Sequence, residues 1–284
     1  MTLAAPAAPV RLTRRLPILG VPVIVWLSIG FIVLTLLVAL VGEWLFPISP
    51  VAQDLYRIST PPSADHWLGT DELGRDVLAR LIAGSRTAII GPFIVALIGF
   101  VVSSLVGIYA GYSGGAVDNI IMRVVDFIIA LPGLLIAIVL VSVLGGGYWL
   151  AIGVLSLLNV QGDIRIVRGA ALKERSLTYI EAARAVGVPK PRIMYGHILP
   201  NILALSASTF AIDFAGALVA LAGLAFLGLG AEVGTPEWGS MLAEGQALLF
   251  SNPAAALAPA AAIILLAVSV NLIGDWAYDR YTGR

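Results

Sequence analysis

Residues 178–201 read TYIEAARAVGVPKPRIMYGHILPN, a polar segment punctuated by glycine and proline in a chain that is otherwise mostly apolar. Thr178 and Glu181 have the Ser/Thr-x-x-Glu spacing of a capping box, which predicts a helix that starts at Tyr179. Gly187 can take the left-handed conformation that ends a helix, and the proline two residues later prevents continuation. This half of the segment therefore predicts a short helix and a turn.

The other half of the segment predicts a second short helix. Pro191 suits the start of a helix because its φ angle is already helical. The helix is expected to run to about Leu199, where Pro200 ends it. The small alanine side chains of the first helix leave a surface that another protein can approach closely. We therefore interpret the segment as a docking element outside the bilayer.

The composition places the chain among membrane proteins. It is 59% hydrophobic and 12% charged, whereas soluble domains have about 25% charged residues. The formal net charge is zero, so no basic surface suggests a nucleic-acid partner. The chain has no cysteine, which excludes disulfides, thiolate metal sites and cysteine nucleophiles. We expect no metal site, because His66 and His197 fall on opposite sides of the membrane in the topology below.

Apolar runs outside this segment predict an all-α, polytopic membrane protein. A crossing needs about twenty apolar residues. The run over residues 127–162 is too long for one crossing and divides at Gly145–Gly147. Asp213 interrupts the apolar run over residues 201–230, which we interpret as one helix. Six crossings are predicted, near residues 22–43, 88–110, 125–144, 148–168, 201–229 and 254–274.

Charge placement orients these crossings. With the N-terminus inside, thirteen Lys and Arg residues face the cytoplasm and four face outward, which obeys the positive-inside rule. Both termini and the docking segment are then cytoplasmic. The Ala-rich start, residues 1–10, is expected to be a disordered tail, and the run over residues 22–42 is too long for a cleaved signal peptide.

The fourth crossing changes character along its length. Tyr148–Val160 is apolar, after which Asp163, Arg165 and Arg168 appear among apolar residues. One interpretation is a helix that leaves the bilayer and presents the docking segment on a stalk. The alternative is a helix that ends at Gly162.

A second polar motif precedes the second crossing, where residues 66–76 read HWLGTDELGRD. Thr70 or Asp71 can cap a helix with apolar residues on one face, and such a helix is expected to lie on the outer membrane surface. It could act as a gate or as a contact for an external protein, or it could be a brace packed against other helices. The candidate residues are Asp71, Gly74, Arg75, Asp76 and Arg80.

Acidic residues near or within the crossings form a third group. Asp213 is the one carboxylate predicted deep in a span, where acids are expensive and face a cavity or a partner. It could line a translocation path and meet the amino group of a peptide, or it could be paired at an interface. Arg123 and Asp126, three residues apart, are expected to form an ion pair.

The docking segment resembles the EAA loop of ABC importer permeases, whose pattern is E-A-A-x3-G-x9-I-x-L-P. The matching positions are Glu181, Ala182, Ala183, Gly187, Leu199 and Pro200. His197 stands where the general pattern has Ile, and there the sequence resembles the dipeptide, oligopeptide and nickel importer branch. Residues 69–86 also resemble the G-T-D-x-x-G-R-D-x-x-S-R-x-x-x-G-x-R stretch of that branch, with Ala79 in place of Ser.

The resemblance implies a type I ABC-importer permease fold (MetI-like) in a bacterial plasma (inner) membrane. It implies a non-catalytic subunit that translocates dipeptides or short oligopeptides and is coupled to ATPases through the EAA loop, with nickel or glutathione as alternative cargo. Implied partners are a second related permease chain, one or two ABC ATPase subunits that carry ATP and Mg, and an extracytoplasmic peptide-binding protein. The chain itself has no phosphate-binding G-x4-G-K-[ST] loop and is expected to bind no cofactor.

These expectations divide the chain into four regions. Residues 1–20 are a cytoplasmic tail, and residues 21–86 hold the first crossing with a large outer loop. Residues 87–276 form a core of five crossings with a coupling loop at 173–200, and residues 277–284 are a second cytoplasmic tail. An ion-coupled secondary transporter is the alternative of a different class, but it needs coupling carboxylates and repeated halves, and Asp213 is the one candidate.

Overall fold

The computed structural model describes residues 21–232 and 234–282, and its regular elements in these ranges are helical. The predicted tail at residues 1–20 and the last two residues lie outside the described part. In chain order the elements are α1 Val23–Leu45, α2 Val77–Ser113, α3 Gly115–Ile129, α4 Gly133–Val143, α5 Tyr148–Arg175, α6 Thr178–Ala185, α7 Lys190–Ile193, a π segment Met194–Ile198, α8 Leu199–Phe226, α9 Trp238–Gly245, a 3-10 turn Gln246–Leu248 and α10 Ala254–Thr282.

Long apolar helices dominate this arrangement. Within the described residues, five helical stretches are long and apolar enough to cross a membrane. They comprise α1, α2, α5, α10 and the continuous stretch from α7 through α8. Counting the bent pair α3 and α4 as one broken span brings the number to six. The predicted all-α, polytopic fold is confirmed.

The third crossing differs from the single helix predicted over residues 125–144. α3 starts already at Gly115, and α3 and α4 meet at an angle of 78°. The break falls at Ala130–Pro132. Pro132 has no N–H for a helical hydrogen bond, and its ring disfavours the α conformation in the preceding residue. The prediction failed because the apolar pattern continues through this proline.

The surface helix predicted before the second crossing does not exist as a separate element. α2 runs for 37 residues without a break from Val77 to Ser113. Its N-cap is Asp76, whose side chain accepts a hydrogen bond from the Ala79 N–H at 2.7 Å, so the predicted caps, Thr70 and Asp71, were wrong. The apolar sequence on both sides of Arg86 lets one helix continue from the outer loop into the bilayer.

Helices α2 and α5 pack closely because α2 presents glycine to α5. A Cβ atom added at Gly107 would lie 2.9 Å from the carbonyl oxygen of Ile164, and one at Gly111 would lie 2.7 Å from that of Arg168. Small residues four apart allow such close approach of membrane helices. α5 itself runs unbroken through Gly162 to Arg175, as the stalk interpretation predicted.

The outer loops are tied to this helical core. The Trp238 indole N–H donates to the Leu81 carbonyl at 2.9 Å. The Asn252 side-chain amide donates to the carbonyls of Leu68 and Thr70 at 3.0 and 3.1 Å. Two of the predicted regional boundaries, 86/87 and 276/277, lie inside α2 and α10.

Candidate functional site

The predicted docking segment starts with α6, which follows α5 after two residues. Leu177 is the N-cap residue, and no side chain caps the helix. The N–H groups of Ile180 and Glu181 bond to the Leu177 carbonyl at 3.0 and 3.3 Å. The capping box predicted for Thr178 and Glu181 was wrong, because Thr178 is itself the first helical residue.

The end of α6 agrees with the sequence. Gly187 adopts a left-handed conformation with φ +80°. The N–H of Val188 bonds to the Ala183 carbonyl at 3.0 Å, and the N–H of Gly187 bonds to the Arg184 carbonyl at 3.0 Å. This is the hydrogen-bond pattern of a Schellman motif. Gly187 therefore reverses the chain toward α7.

The second helix of the segment does not end at Pro200. α7, the π segment and α8 follow one another without a gap, and Pro200 lies in the first turn of α8. A proline is tolerated there because the first turn of a helix leaves N–H groups unbonded. The Asn201 side-chain amide donates to the His197 carbonyl at 2.7 Å. The docking segment is thus rigidly continuous with a membrane helix.

Tyr179 connects α6 to both flanking helices. Its hydroxyl donates to Glu174 Oε2 at 2.5 Å and accepts from the Asn201 side-chain amide at 3.1 Å. Burial and the carboxylate of Glu174 raise the pKa of Tyr179 to about 12. The phenol therefore stays neutral at physiological pH and can donate to Glu174. These contacts hold α6 at a fixed position between α5 and α8.

The surface of α6 that faces away from the core is small and partly apolar. Ile180 is fully buried, whereas Glu181, Ala182 and Ala185 are exposed. Val186, at the end of the helix, is 80% exposed. The candidate coupling residues lie together in this region and on the connection to α8. They are Glu181, Ala182, Ala183, Gly187, His197, Leu199 and Pro200.

On the opposite side of the molecule, four charged side chains form a network between the outer loop and α9. Arg75 Nε lies 2.6 Å from Asp71 Oδ2, and Arg80 Nε lies 3.5 Å from the same oxygen. Glu244 Oε2 accepts from Nη2 of Arg75 at 2.7 Å and of Arg80 at 2.9 Å. Arg80 is 1% exposed. Each arginine thus contacts both carboxylates. The two positive charges of the arginines are therefore balanced by the two negative charges of Asp71 and Glu244.

The remaining candidate residues of the outer motif support this network. Asp76 caps α2 with one oxygen and contacts His66 Nδ1 with the other at 2.7 Å. Gly74 has φ +70°, and an added Cβ would lie 1.9 Å from the Asp54 carbonyl oxygen. Only glycine fits there, because both the conformation and the space exclude a side chain.

Two carboxylates meet inside the membrane region, where the sequence suggested one. The carboxyl groups of Asp163 in α5 and Asp213 in α8 both lie beside Gly99 of α2. A Cβ added at Gly99 in α2 would lie 3.1 Å from Asp163 Oδ2 and 3.5 Å from Asp213 Oδ2. Both Oδ2 atoms are buried without a hydrogen-bond donor in the described structure. Three helices therefore enclose an acidic pair that has no basic partner among the described residues.

Two further ion pairs lie toward the C-terminal end of α5. Arg165 pairs with Asp126, and Arg168 binds Asp118 with two hydrogen bonds. The predicted pair of Arg123 with Asp126 was wrong, because Asp126 turns toward α5 instead. These pairs join α3 to α5 and hold the bent third crossing against the core.

The sequence profile of one family, described as the binding-protein-dependent transport system inner membrane component, matches residues 103–284. The match includes α5, the docking segment and α8. The chain belongs to this family. It is the membrane-spanning permease subunit of an ABC importer, a class of transporter that works with ATPase and binding-protein partners.

Relatives of the permease extend over nearly its whole length. It is 35% identical over 250 residues to a glutathione transport system permease protein of Pectobacterium atrosepticum, covering 88% of this chain and 83% of that protein. It is 36% identical over 252 residues to a probable D,D-dipeptide transport system permease protein of Escherichia coli, covering 89% and 85%. The predicted membership of the peptide and nickel importer branch is confirmed.

The fold of the permease is similar to that of a chain in inward-facing structures of the MetNI methionine ABC transporter. The TM-score is 0.59, with 73% of this chain and 98% of that chain covered, at 20% sequence identity. This likeness confirms the predicted type I ABC-importer permease fold.

Four residues of these sites escaped the sequence reasoning. Glu244 was one of several outer glutamates, and its partners precede it by more than 160 residues. Asp163 stood among polar residues at the end of a span, so it did not read as an intramembrane acid. The residues that flank Tyr179 and the exposed Val186 in the sequence form no motif that predicts a contact. Only the apolar character of Val186 in a polar segment could have marked it.

Proposed function

We propose that the permease imports short peptides into the cytoplasm, with glutathione, itself a tripeptide, as one candidate cargo. The observation that carries the proposal is the identity of 35% and 36% to permeases named for glutathione and D,D-dipeptide transport, over 88% and 89% of this chain. ATP hydrolysis takes place on separate ATPase subunits, and a second related permease chain completes the path.

The docking segment transmits ATPase closure to the membrane helices. Its exposed face offers the small Ala182, the apolar Val186 and the carboxylate of Glu181 as contacts to a partner. Tyr179 ties this face to α5 and α8. A displacement of α6 therefore has to move both helices, because Gly187 leads directly into a helix that continues across the membrane.

The outer motif is a brace in this proposal rather than a direct contact for the binding protein. Arg75 and Arg80 are buried beneath Glu244, so they cannot reach a docked protein without breaking ion pairs. The brace holds α9 against the start of α2 and so maintains the outer end of the path.

The acidic pair offers carboxyl oxygens to the amino group of a peptide on its way through the membrane. Support comes from the burial of the Oδ2 atoms of Asp163 and Asp213, neither of which has a hydrogen-bond partner in the described structure. A buried carboxylate without a basic partner is unfavourable, and a passing ammonium group offsets that penalty transiently.

Uptake in proteoliposomes tests the function. The assembled transporter is reconstituted with ATP in the lumen, and the binding protein with labelled glutathione or dipeptide is added outside. We expect accumulation that requires ATP and is insensitive to an uncoupler. Accumulation that needs a proton gradient and ignores ATP would establish an ion-coupled carrier instead.

The same assay tests the acidic pair. Asp213→Asn and Asp163→Asn keep the side-chain shape and replace one carboxyl oxygen by an amide nitrogen, so we expect complex yield to be retained. The peptide concentration for half-maximal uptake should rise about tenfold, the effect of about 1.4 kcal/mol in binding. Reduced complex yield with unchanged peptide dependence would identify the pair as structural.

Accessibility of single cysteines tests the orientation, since the chain has no cysteine. Cysteines at Ser63 and Gly234 should react with an impermeant thiol reagent in intact cells. Cysteines at Lys173 and Pro189 should react after permeabilisation only. Labelling of Pro189 from outside would contradict coupling to a cytoplasmic ATPase.

A further inference from the structure

A cavity of about 470 Å³ lies between α6 and the ends of α2 and α5, and three cationic side chains line it. They are Arg175, Arg184 and Lys190, and no lining residue is acidic. In the described part of the chain, none of the three forms a hydrogen bond or an ion pair, although Arg184 stacks on Tyr112. The cavity therefore concentrates uncompensated positive charge.

Local geometry holds two of the cations at the cavity. The Arg184 guanidinium carbon lies 5.0 Å above the centre of the Tyr112 ring. Arg175 lies against Gly114, where an added Cβ would be 2.9 Å from Nη1. The nearby carboxylate of Glu174 accepts a hydrogen bond from Tyr179 instead. The arginines are thus positioned by contacts other than acids.

Helix dipoles do not neutralise this charge. The C-termini of α2 and α5 end beside the cavity, and each carries about half a negative charge. Together they offset about one of the three positive charges. A net positive charge remains, and the hydroxyl of the exposed Ser113 adds a further donor. This donor set suits the oxygens of a phosphate group.

The cavity lies at one end of the membrane-spanning helix α2. The Tyr148 hydroxyl donates to the Thr87 carbonyl at 2.6 Å and lies beside Gly91, which aligns the outer end of α5 with this part of α2. Between Gly91 and Gly111, α2 rises about 30 Å, the thickness of the hydrocarbon core. Tyr112 and Ser113 follow immediately, so the cavity lies at the end of α2 that is remote from its contact with Tyr148.

The cavity also lies on the membrane side of α6. Arg184 follows Ile180 by one helical turn and shares its inward face, and its guanidinium reaches the end of α2. Ala182 and Ala185 are exposed on the opposite face. An ATPase docked on that face would leave the cavity facing lipid.

We propose that this cavity binds the phosphate of an anionic phospholipid in the cytoplasmic leaflet. Basic pockets between membrane helices on the cytoplasmic side bind such head groups. The bound lipid bridges α2, α5 and the docking segment. It stabilises the position of α6 from the membrane side, while the ATPase contacts the opposite face of this helix. The orientation is the one given under Proposed function, but the site does not depend on the cargo.

Binding of defined lipids to the purified, delipidated transporter tests the proposal. Phosphatidylglycerol and phosphatidylcholine are titrated separately, with native mass spectrometry and the thermal midpoint as readouts. Phosphatidylglycerol should bind at least about tenfold more tightly. The double variant Arg175→Gln/Lys190→Gln should weaken its binding about thirtyfold, from about 1 kcal/mol for each basic residue.

A matched control removes the same charge from outside the cavity. Lys173 and Arg192 are exposed in the same cytoplasmic region and do not line the cavity, so Lys173→Gln/Arg192→Gln should retain phosphatidylglycerol binding. Equal weakening by both double variants would overturn the site and indicate a diffuse charge effect.

Two further outcomes would also overturn the lipid assignment. If millimolar inorganic phosphate displaces phosphatidylglycerol and alone raises the midpoint equally, the ligand is a free anion. If the cavity variant loses its ATPase subunits without any added lipid, the cations are an ATPase contact. Retention of the ATPase together with loss of lipid binding supports the proposal.

Discussion

The proposed outer brace and the predicted cytoplasmic docking segment are both polar interruptions of an apolar chain, yet they are constructed in opposite ways. In the brace, Arg75 and Arg80 are buried and share the carboxylates of Asp71 and Glu244. In the docking segment, Arg184 and Lys190 are exposed and have no ion pair among the described residues.

This difference separates a region that is complete within one chain from a region that awaits partners. A buried charge is tolerated only when it is paired, so the brace must satisfy itself. An exposed charge is solvated by water and can be exchanged for a partner at little penalty. The outer side is therefore expected to respond to mutation through stability, and the inner side through coupling.

The largest stability effect should come from Arg80. Arg80→Ala leaves Asp71 and Glu244 with one shared arginine in a buried site, and breaking such pairs reduces the free energy of unfolding by about 3–5 kcal/mol. The thermal midpoint of the purified transporter measures this loss. Arg57→Ala is the control, since its partner Asp65 is 72% exposed, and it should change stability by less than about 1 kcal/mol.

If Arg57→Ala and Arg80→Ala destabilise the protein equally, burial does not distinguish the brace from ordinary surface pairs. The comparison between the two sides of the molecule would then lose its basis.

Substitution of a glycine in the brace should have the next largest effect on stability. Gly74→Ala places a Cβ 1.9 Å from the Asp54 carbonyl oxygen at φ +70°. The left-handed conformation and the displacement of the loop together should reduce stability by about 2–4 kcal/mol. Gly115→Ala has φ +60° with no atom within 4 Å and should lose about 1 kcal/mol. Similar thermal midpoints for the two variants would show that the outer loop accommodates the added methyl group at Gly74 without a further loss of stability.

The smallest stability effect is expected at Glu181. It is exposed and caps no backbone group through its own side chain, so Glu181→Ala should change the free energy of unfolding by about 0.5 kcal/mol or less. ATPase activity stimulated by the loaded binding protein should nevertheless fall sharply, because a docking contact is lost. Stimulation at the wild-type level would remove Glu181 from the coupling surface.

Thr178→Ala is the matched control for this variant. Thr178 is exposed and makes no cap hydrogen bond, so both stability and stimulated hydrolysis should stay unchanged. A decrease of about 0.5–2 kcal/mol in the free energy of unfolding would instead show that the Thr178 side chain caps α6.

The sequence alone was sufficient for features that depend on local chemistry. Charge-free runs of about twenty residues predict membrane helices. The bilayer offers no hydrogen-bond partners, and a helix bonds the backbone N–H and C=O groups within the segment itself. Gly187 and Pro189 predicted the reversal after α6, because few residues other than glycine adopt its backbone conformation. The spacing of Glu181, Gly187 and Pro200 was enough to indicate the family.

Features that depend on contacts between distant residues required the tertiary structure. The sequence marked Arg75 and Arg80, but Glu244 becomes their partner only when α9 folds back over the start of α2. Asp163 and Asp213 are fifty residues apart and meet because glycines in α2 let the helices approach. Hydrophobic patterns determine which segments cross a membrane, whereas packing of those segments determines which charges meet, and the second is not encoded by spacing along the chain.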